Sequence, residues 1–133
     1  MSLWKFGSFE EEVDFNDADF LDALEYAKKV MDLKLKEVPK VGKRSEIVRA
    51  QCRCFYAFFD TLFGEGAGNA IFEGRSSLEL CIQAADSISE FQKSEDKRIE
   101  QTYSKYQVQN HGNRQQRRQY QKTQKTYHPK YHK

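Results

Sequence analysis

The broadest apolar pattern in the chain lies in residues 44–72, RSEIVRAQCRCFYAFFDTLFGEGAGNAIF. Apolar side chains recur there at helical spacings, in two adjacent rows. One row holds Ile47, Cys54 and Phe58, and the other holds Val48, Phe55, Phe59 and Leu62. Because one neighbouring helix would not cover so wide a stripe, the pattern predicts a central helix over about 45–63 that is packed from several directions. Gly64, Gly66 and Gly68 predict its end.

Helical periodicity on either side predicts two flanking helices, over about 17–37 and 77–106, which complete a three-helix core. Their apolar faces are Phe20, Leu24, Ala27 and Met31 in the first helix, and Leu78, Cys81, Ala85 and Ile88 in the second. The expected N-terminal caps are Asn16 and Ser45 for the first two helices, and the Ser76–Glu79 capping box for the third. Pro39 should end the first helix, and residues 67–72 should form one further helical turn.

Residues 3–15 alternate between apolar and polar side chains, which is typical of strands rather than helices. Gly7 and Ser8 provide a turn between two such strands, so the pattern predicts a β-hairpin. Since a two-stranded hairpin is marginal alone, Trp4 or Phe6, together with Phe9, Val13 and Phe15, should pack on the helices. The predicted fold is therefore mainly α with a small N-terminal β-hairpin.

Composition limits the class of protein and the compartment that fit this pattern. The chain has 133 residues, of which 38% are apolar and 32% charged, and it contains no run of about 18 apolar residues that could span a membrane. The N-terminus shows no apolar signal region, so a cytoplasmic location is expected. Three cysteines without a CxxC pair predict free, buried thiols in a reducing compartment.

Charge divides the chain into two parts. Residues 109–133 contain seven Lys and Arg and no Asp or Glu, whereas residues 1–108 contain 15 Lys and Arg against 20 Asp and Glu. The sequence therefore predicts a helical domain over 1–108, with a net charge of −5, and a disordered or weakly helical basic tail over 109–133.

Two stretches are candidates for binding a partner. The candidate residues of the tail are Arg114, Arg117, Arg118, Tyr120, Lys122 and Lys125. Their cations and aromatic ring are suited to binding either nucleic acid or an acidic protein. A tail that only increases solubility remains an alternative. Ile99, Tyr103 and Tyr106 lie on one face of the last predicted helix. Those three would contact a partner or a second copy of the chain, unless they merely form a solvated helix end.

The sequence gives little support for a catalytic site or a metal site. All three histidines (His111, His128 and His132) lie in the tail, so the domain has no histidine for a catalytic triad. Pro129 separates His128 from His132, and no third ligand is near. The glycine-rich stretch lacks the Lys-Ser/Thr of a phosphate-binding loop. We therefore expect no catalytic residues, no metal, no cofactor and no enzymatic activity.

The order of several motifs resembles an uncharacterised family of small proteins in siphophage and prophage tail gene clusters. These motifs are FNDADF at the start of a helix, PKVGKRSEIVRA, FFDTLFGEGAGNAIFEG, a helix rich in Leu and Cys, and NRQQRR in the tail. The resemblance covers most of residues 9–92 together with the NRQQRR run.

The resemblance implies a tail assembly chaperone, which binds and solubilises the long helical tape measure protein before the tail tube polymerises around it. It also implies a location in the bacterial host cytoplasm, and it leaves self-association open. Two alternatives remain from the sequence. One is a nucleic-acid-binding accessory protein acting through the basic tail, and the other is a phage inhibitor of a host protein.

Overall fold

A computed structural model describes the backbone of residues 2–110 and the side chains of residues 2–106. Two strands and four helices follow one another along this part of the chain: β1 (Ser2–Phe6), β2 (Phe9–Val13), α1 (Ala18–Lys36), α2 (Arg44–Phe63), α3 (Ala67–Phe72) and α4 (Leu78–Asn110). The prediction of a mainly helical fold with an N-terminal hairpin is confirmed. The short helical turn expected at 67–72 is α3.

The hairpin pairs β1 with β2 in antiparallel register, from Ser2 opposite Val13 to Phe6 opposite Phe9. Gly7 occupies the turn with a φ of 59°, a left-handed conformation that glycine adopts without a steric penalty. Trp4 and Val13 lie on the same face, and both side chains are almost fully buried. One face of the hairpin therefore packs against the helices, as its marginal stability requires.

Trp4 connects the hairpin to two helices. Its ring stacks on Phe59 of α2 with a centroid separation of 5.8 Å and an interplanar angle of 4°. Its indole Nε1–H donates a hydrogen bond to Ser87 Oγ of α4 at 3.1 Å. The ring thus contributes apolar contact at one end while its polar atom is satisfied at the other, which is how a buried tryptophan is normally accommodated.

The start of α1 differs from the prediction by one residue. Asp17, not Asn16, is the N-terminal cap, because its backbone is extended and its carboxylate accepts the N–H of Phe20 at 3.0 Å. The N–H of Asn16 instead donates to the Asp14 carboxylate at 2.9 Å. Farther along, α1 buries Leu24 and Ala27 in the core, as its periodicity predicts.

The central position of α2 is confirmed, since six of its side chains are buried: Ala50, Cys52, Cys54, Phe58, Phe59 and Leu62. Its predicted cap is wrong. The helix begins at Arg44, so the N-terminal cap position falls on Lys43, which makes no side-chain capping bond, and Ser45 lies inside the first turn. The helix ends at Phe63, because the C-cap residue that follows, Gly64, has a φ of 109°, which stops helical propagation.

The start of α4 also needs correction. Ser77, not Ser76, is the N-terminal cap, since its Oγ accepts the N–H of Leu80 at 3.2 Å. Glu79 is consequently one position too early to complete a capping box. On the buried face, Ala84 is fully buried whereas the predicted Ala85 is only half-buried. The helix continues to Asn110, four residues beyond the predicted end.

Contacts divide the chain into two compact units, residues 1–97 and residues 98–133, with the boundary inside α4. The first unit contains the hairpin, α1, α2, α3 and the first part of α4, with the buried apolar core among them. The division expected at residue 108 remains a prediction. Among the described residues, no helix is both long and apolar enough to cross a membrane.

Gly68 provides a test of how closely α3 packs on α2. A Cβ at this position would meet the backbone Cα and O of Tyr56 at 3.0 Å, and the Gly68 N–H already donates to Asp60 Oδ1 at 2.7 Å. Gly68→Ala should therefore lower the free energy of unfolding by about 1–3 kcal/mol, through overpacking against backbone that cannot yield. Urea denaturation measures this, with Asn69→Ala at the exposed neighbouring position as a control that should be near neutral.

Trp4→Ala tests the attachment of the hairpin. We expect a loss of about 3–5 kcal/mol in the free energy of unfolding, because a fully buried aromatic ring is removed and the Ser87 hydroxyl loses its donor. Leu3→Ala on the same strand is the control, since Leu3 is 44% exposed. Equal effects of the two substitutions on thermal or urea unfolding would contradict the role assigned to Trp4.

Candidate functional site

A concave surface of the first unit lies between the end of α1 and the first half of α2. An open cleft of about 170 Å³ is lined by Lys34, Glu37, Val38, Pro39, Ala50, Arg53 and Cys54. A second cleft of about 290 Å³ adjoins it and shares Pro39, Ala50 and Arg53, adding Glu46 and Arg49. Together these residues form what we call the α1–α2 cleft.

Local sequence explains why the cleft forms at this point. The N–H of Glu37 donates to the carbonyl of Lys34, and that of Val38 donates to the carbonyl of Leu35, which closes the last turn of α1. Pro39 follows and cannot continue a helix. The chain then returns along α1 as α2, where the small Ala50 leaves space between the two helices.

The floor of the cleft is apolar and its rim is charged. Ala50 and Cys54 are buried, and Val38 is half-buried. The exposed rim holds three cations, Lys34, Arg49 and Arg53, and two carboxylates, Glu37 and Glu46. Residues 28–54, which contain the whole cleft, carry nine Lys and Arg against three Asp and Glu. The cleft is therefore suited to an apolar side chain accompanied by a carboxylate.

Burial and the charged side chains of the cleft act on the pKa of the Cys54 thiol in opposite directions. Burial raises its pKa above the ordinary value, while the Lys34 and Arg53 cations lower it and the Glu37 carboxylate raises it again. The thiol donates a hydrogen bond to the Ala50 carbonyl of its own helix at 3.4 Å. A protonated thiol bound in this way behaves as a small apolar group of the floor rather than as a nucleophile.

The other two cysteines form a buried pair between α2 and α4. Cys52 and Cys81 are almost fully buried, and all three cysteines are free thiols, as the sequence predicts. Burial raises the pKa of the Cys81 thiol from 9.0 to about 12, and the neighbouring Cys52 adds to the rise through its charge and a thiol–thiol hydrogen bond. Among the described residues, no group of three or more His, Cys, Asp or Glu is placed to hold a metal ion.

The residues that line the cleft are not among the site residues predicted from the sequence. Tyr103 and Tyr106 are 60% and 59% exposed, and Ile99 is half-buried, in the second unit. The six predicted tail residues, Arg114, Arg117, Arg118, Tyr120, Lys122 and Lys125, lie outside the described residues. Sequence reasoning missed the cleft, although the accumulation of cations over residues 28–54 was a usable signal.

Comparison with known proteins places the chain in a family. A model described as a family of unknown function, DUF6673, matches residues 7–121. The chain belongs to this family. The DUF6673 match includes the whole α1–α2 cleft, and it extends into the basic tail as far as Gln121. No curated protein matches the chain. No solved structure matches it either.

The buried thiol pair predicts how the stability of this DUF6673 protein changes in alkali. Folded Cys81 retains its proton up to about pH 12, whereas the unfolded thiol loses it near pH 9.0. The unfolded state therefore binds fewer protons between these two values, so the contribution of Cys81 to stability is complete below the lower value and is lost as the pH rises.

Cys81→Ala should reduce that loss. The urea midpoint of the variant is expected to fall less than that of the wild type as the pH rises from about 8 to about 10, whatever its starting stability. Ile88→Val is the matched control, because it also trims the buried face of α4 but removes no titrating group. If Cys81→Ala and Ile88→Val showed the same dependence on pH, the assigned shift would be wrong.

Proposed function

We propose that this protein is a phage tail assembly chaperone-like interaction protein, which binds and solubilises the tape measure protein during tail morphogenesis. The resemblance of its motifs to proteins of phage tail gene clusters supports the choice of client. The observation that carries the binding role is the α1–α2 cleft, with its apolar floor of Val38, Ala50 and Cys54 and its charged rim, in which three cations outnumber two carboxylates. Such a cleft is suited to binding a chain segment and requires no catalytic group.

The chemistry of the cleft indicates which part of a client it would bind. A tape measure protein is long and helical, so it presents amphipathic helices with apolar side chains beside charged ones. One apolar side chain would enter the floor, while a nearby Asp or Glu would pair with Lys34, Arg49 or Arg53. Helix-in-groove binding of this kind is a common mode of recognition.

Co-expression tests the proposal. The full chain should keep the tape measure protein of its own gene cluster soluble and should co-purify with it. Arg53→Glu reverses a charge that lines both parts of the cleft, so it should lower the yield of the complex severalfold. Arg75→Glu makes the same change at an exposed position outside the cleft and should leave the yield unchanged.

Two results would count against the proposal. One is a tape measure protein that is equally soluble with and without this chain and does not co-purify with it. The other is a complex that Arg53→Glu and Arg75→Glu weaken to the same extent. Nucleic-acid binding through the basic tail and inhibition of a host protein stay predictions from the sequence.

A further inference from the structure

A second apolar row follows α1 beside the one that enters the core, and only its first member, Ala23, also packs against that core. Ala23, Tyr26, Val30 and Leu33 are separated by three, four and three residues, which is the spacing of the apolar seam of a coiled coil. Tyr26 and Leu33 are 61% and 62% exposed, while Ala23 and Val30 are half-buried. The buried Leu24 and Ala27 point to the core instead. We refer to the four residues as the α1 seam.

The charge of α1 changes sign along its length. Residues 17–27 contain Asp17, Asp19, Asp22 and Glu25 and no Lys or Arg, for a net charge of −4. Residues 28–36 contain four lysines and one aspartate, for a net charge of +3. The seam runs from the acidic half of α1 into the basic half. A partner that covers the whole seam therefore lies against negative charge at one end and positive charge at the other.

We propose that a second copy of this chain covers the α1 seam, with the two α1 helices antiparallel about a twofold axis near residue 28. Antiparallel pairing places the acidic half of each helix against the basic half of the other. Parallel pairing would place like charges together along the whole length, which is unfavourable. The charge pattern of α1 is thus complementary to itself in one direction only.

The seam residues also fit this arrangement by size. In an antiparallel pair centred near residue 28, the small Ala23 faces Leu33 of the second copy, and Tyr26 faces Val30 of the second copy. Large side chains therefore meet smaller ones in each layer, which fills the space between two helices. In a symmetric pair each of these contacts occurs twice.

Charged residues beside the seam define the register more closely. Asp22 and Lys36 are fourteen residues apart, so they lie on the same edge of the seam, two heptads from one another. In the antiparallel pair, Asp22 of one copy approaches Lys36 of the other, and the symmetry produces this contact twice. The proposal does not depend on the client of the α1–α2 cleft.

Sedimentation of the full chain over a wide range of protein concentration tests the pairing. The wild type should pass from monomer to dimer as its concentration rises. Leu33→Asp should weaken the dimer by about tenfold or more, since it places a charge in each of the two apolar layers that Leu33 forms with Ala23 of the other copy. Val41→Asp is the matched control, because Val41 is 84% exposed in the α1–α2 loop and lies off the seam, and it should leave the dimer unchanged.

A charge exchange tests the antiparallel direction separately from folding. Asp22→Lys and Lys36→Asp should each weaken dimerisation, and the double variant Asp22→Lys with Lys36→Asp should restore it, because the opposite charges again face one another. Both residues are exposed, so these variants should fold even if Leu33→Asp does not. A wild type that stays monomeric at every concentration would overturn the proposal. So would a dimer that Leu33→Asp and Val41→Asp affect equally, or one that the double charge exchange fails to restore.

Discussion

The stack of Trp4 on Phe59 is the contact on which the first unit depends. Around it, Trp4 also meets Phe9 and Phe63 at ring separations of 5.9 Å, and Phe59 meets Phe72 of α3 at 5.6 Å. The indole nitrogen extends the same cluster to Ser87 of α4. A chain with only 38% apolar residues has few side chains for a core, so a small number of large rings supply most of its buried surface.

The core that these rings build is entirely apolar. Among the described side chains, no polar or charged residue is buried, and no buried polar side-chain atom lacks a hydrogen-bond partner. The charged side chains therefore lie on the surface. Acidic residues are concentrated in the first half of α1, and basic residues in its second half and at the start of α2. Surfaces of this kind favour binding and determine the orientation of a partner through complementary charge.

The boundary of the family match adds to this picture. The match begins at residue 7, after β1, whereas Trp4 of β1 is among the most buried side chains in the described part of the chain. The hairpin turn and β2 lie inside the match, so the aromatic cluster joins residues on both sides of its boundary. A segment outside the matched region is thus part of the same core.

Periodicity and glycine positions in the sequence determined the type, order and approximate ends of the helices and strands, because these features depend on local backbone preferences. Neighbouring residues with similar preferences could not be separated in this way. Asn16 and Asp17 can both cap a helix, and only the backbone conformation of the folded chain assigns the role to Asp17. Similarly, Ala84 and Ala85 differ by about 100° around α4, so the direction of the core decides which of them is buried. The tertiary structure alone brought Lys34 and Arg53 to one cleft, and it decided which of two apolar rows on α1 enters the core, because both depend on how helices distant in sequence pack together.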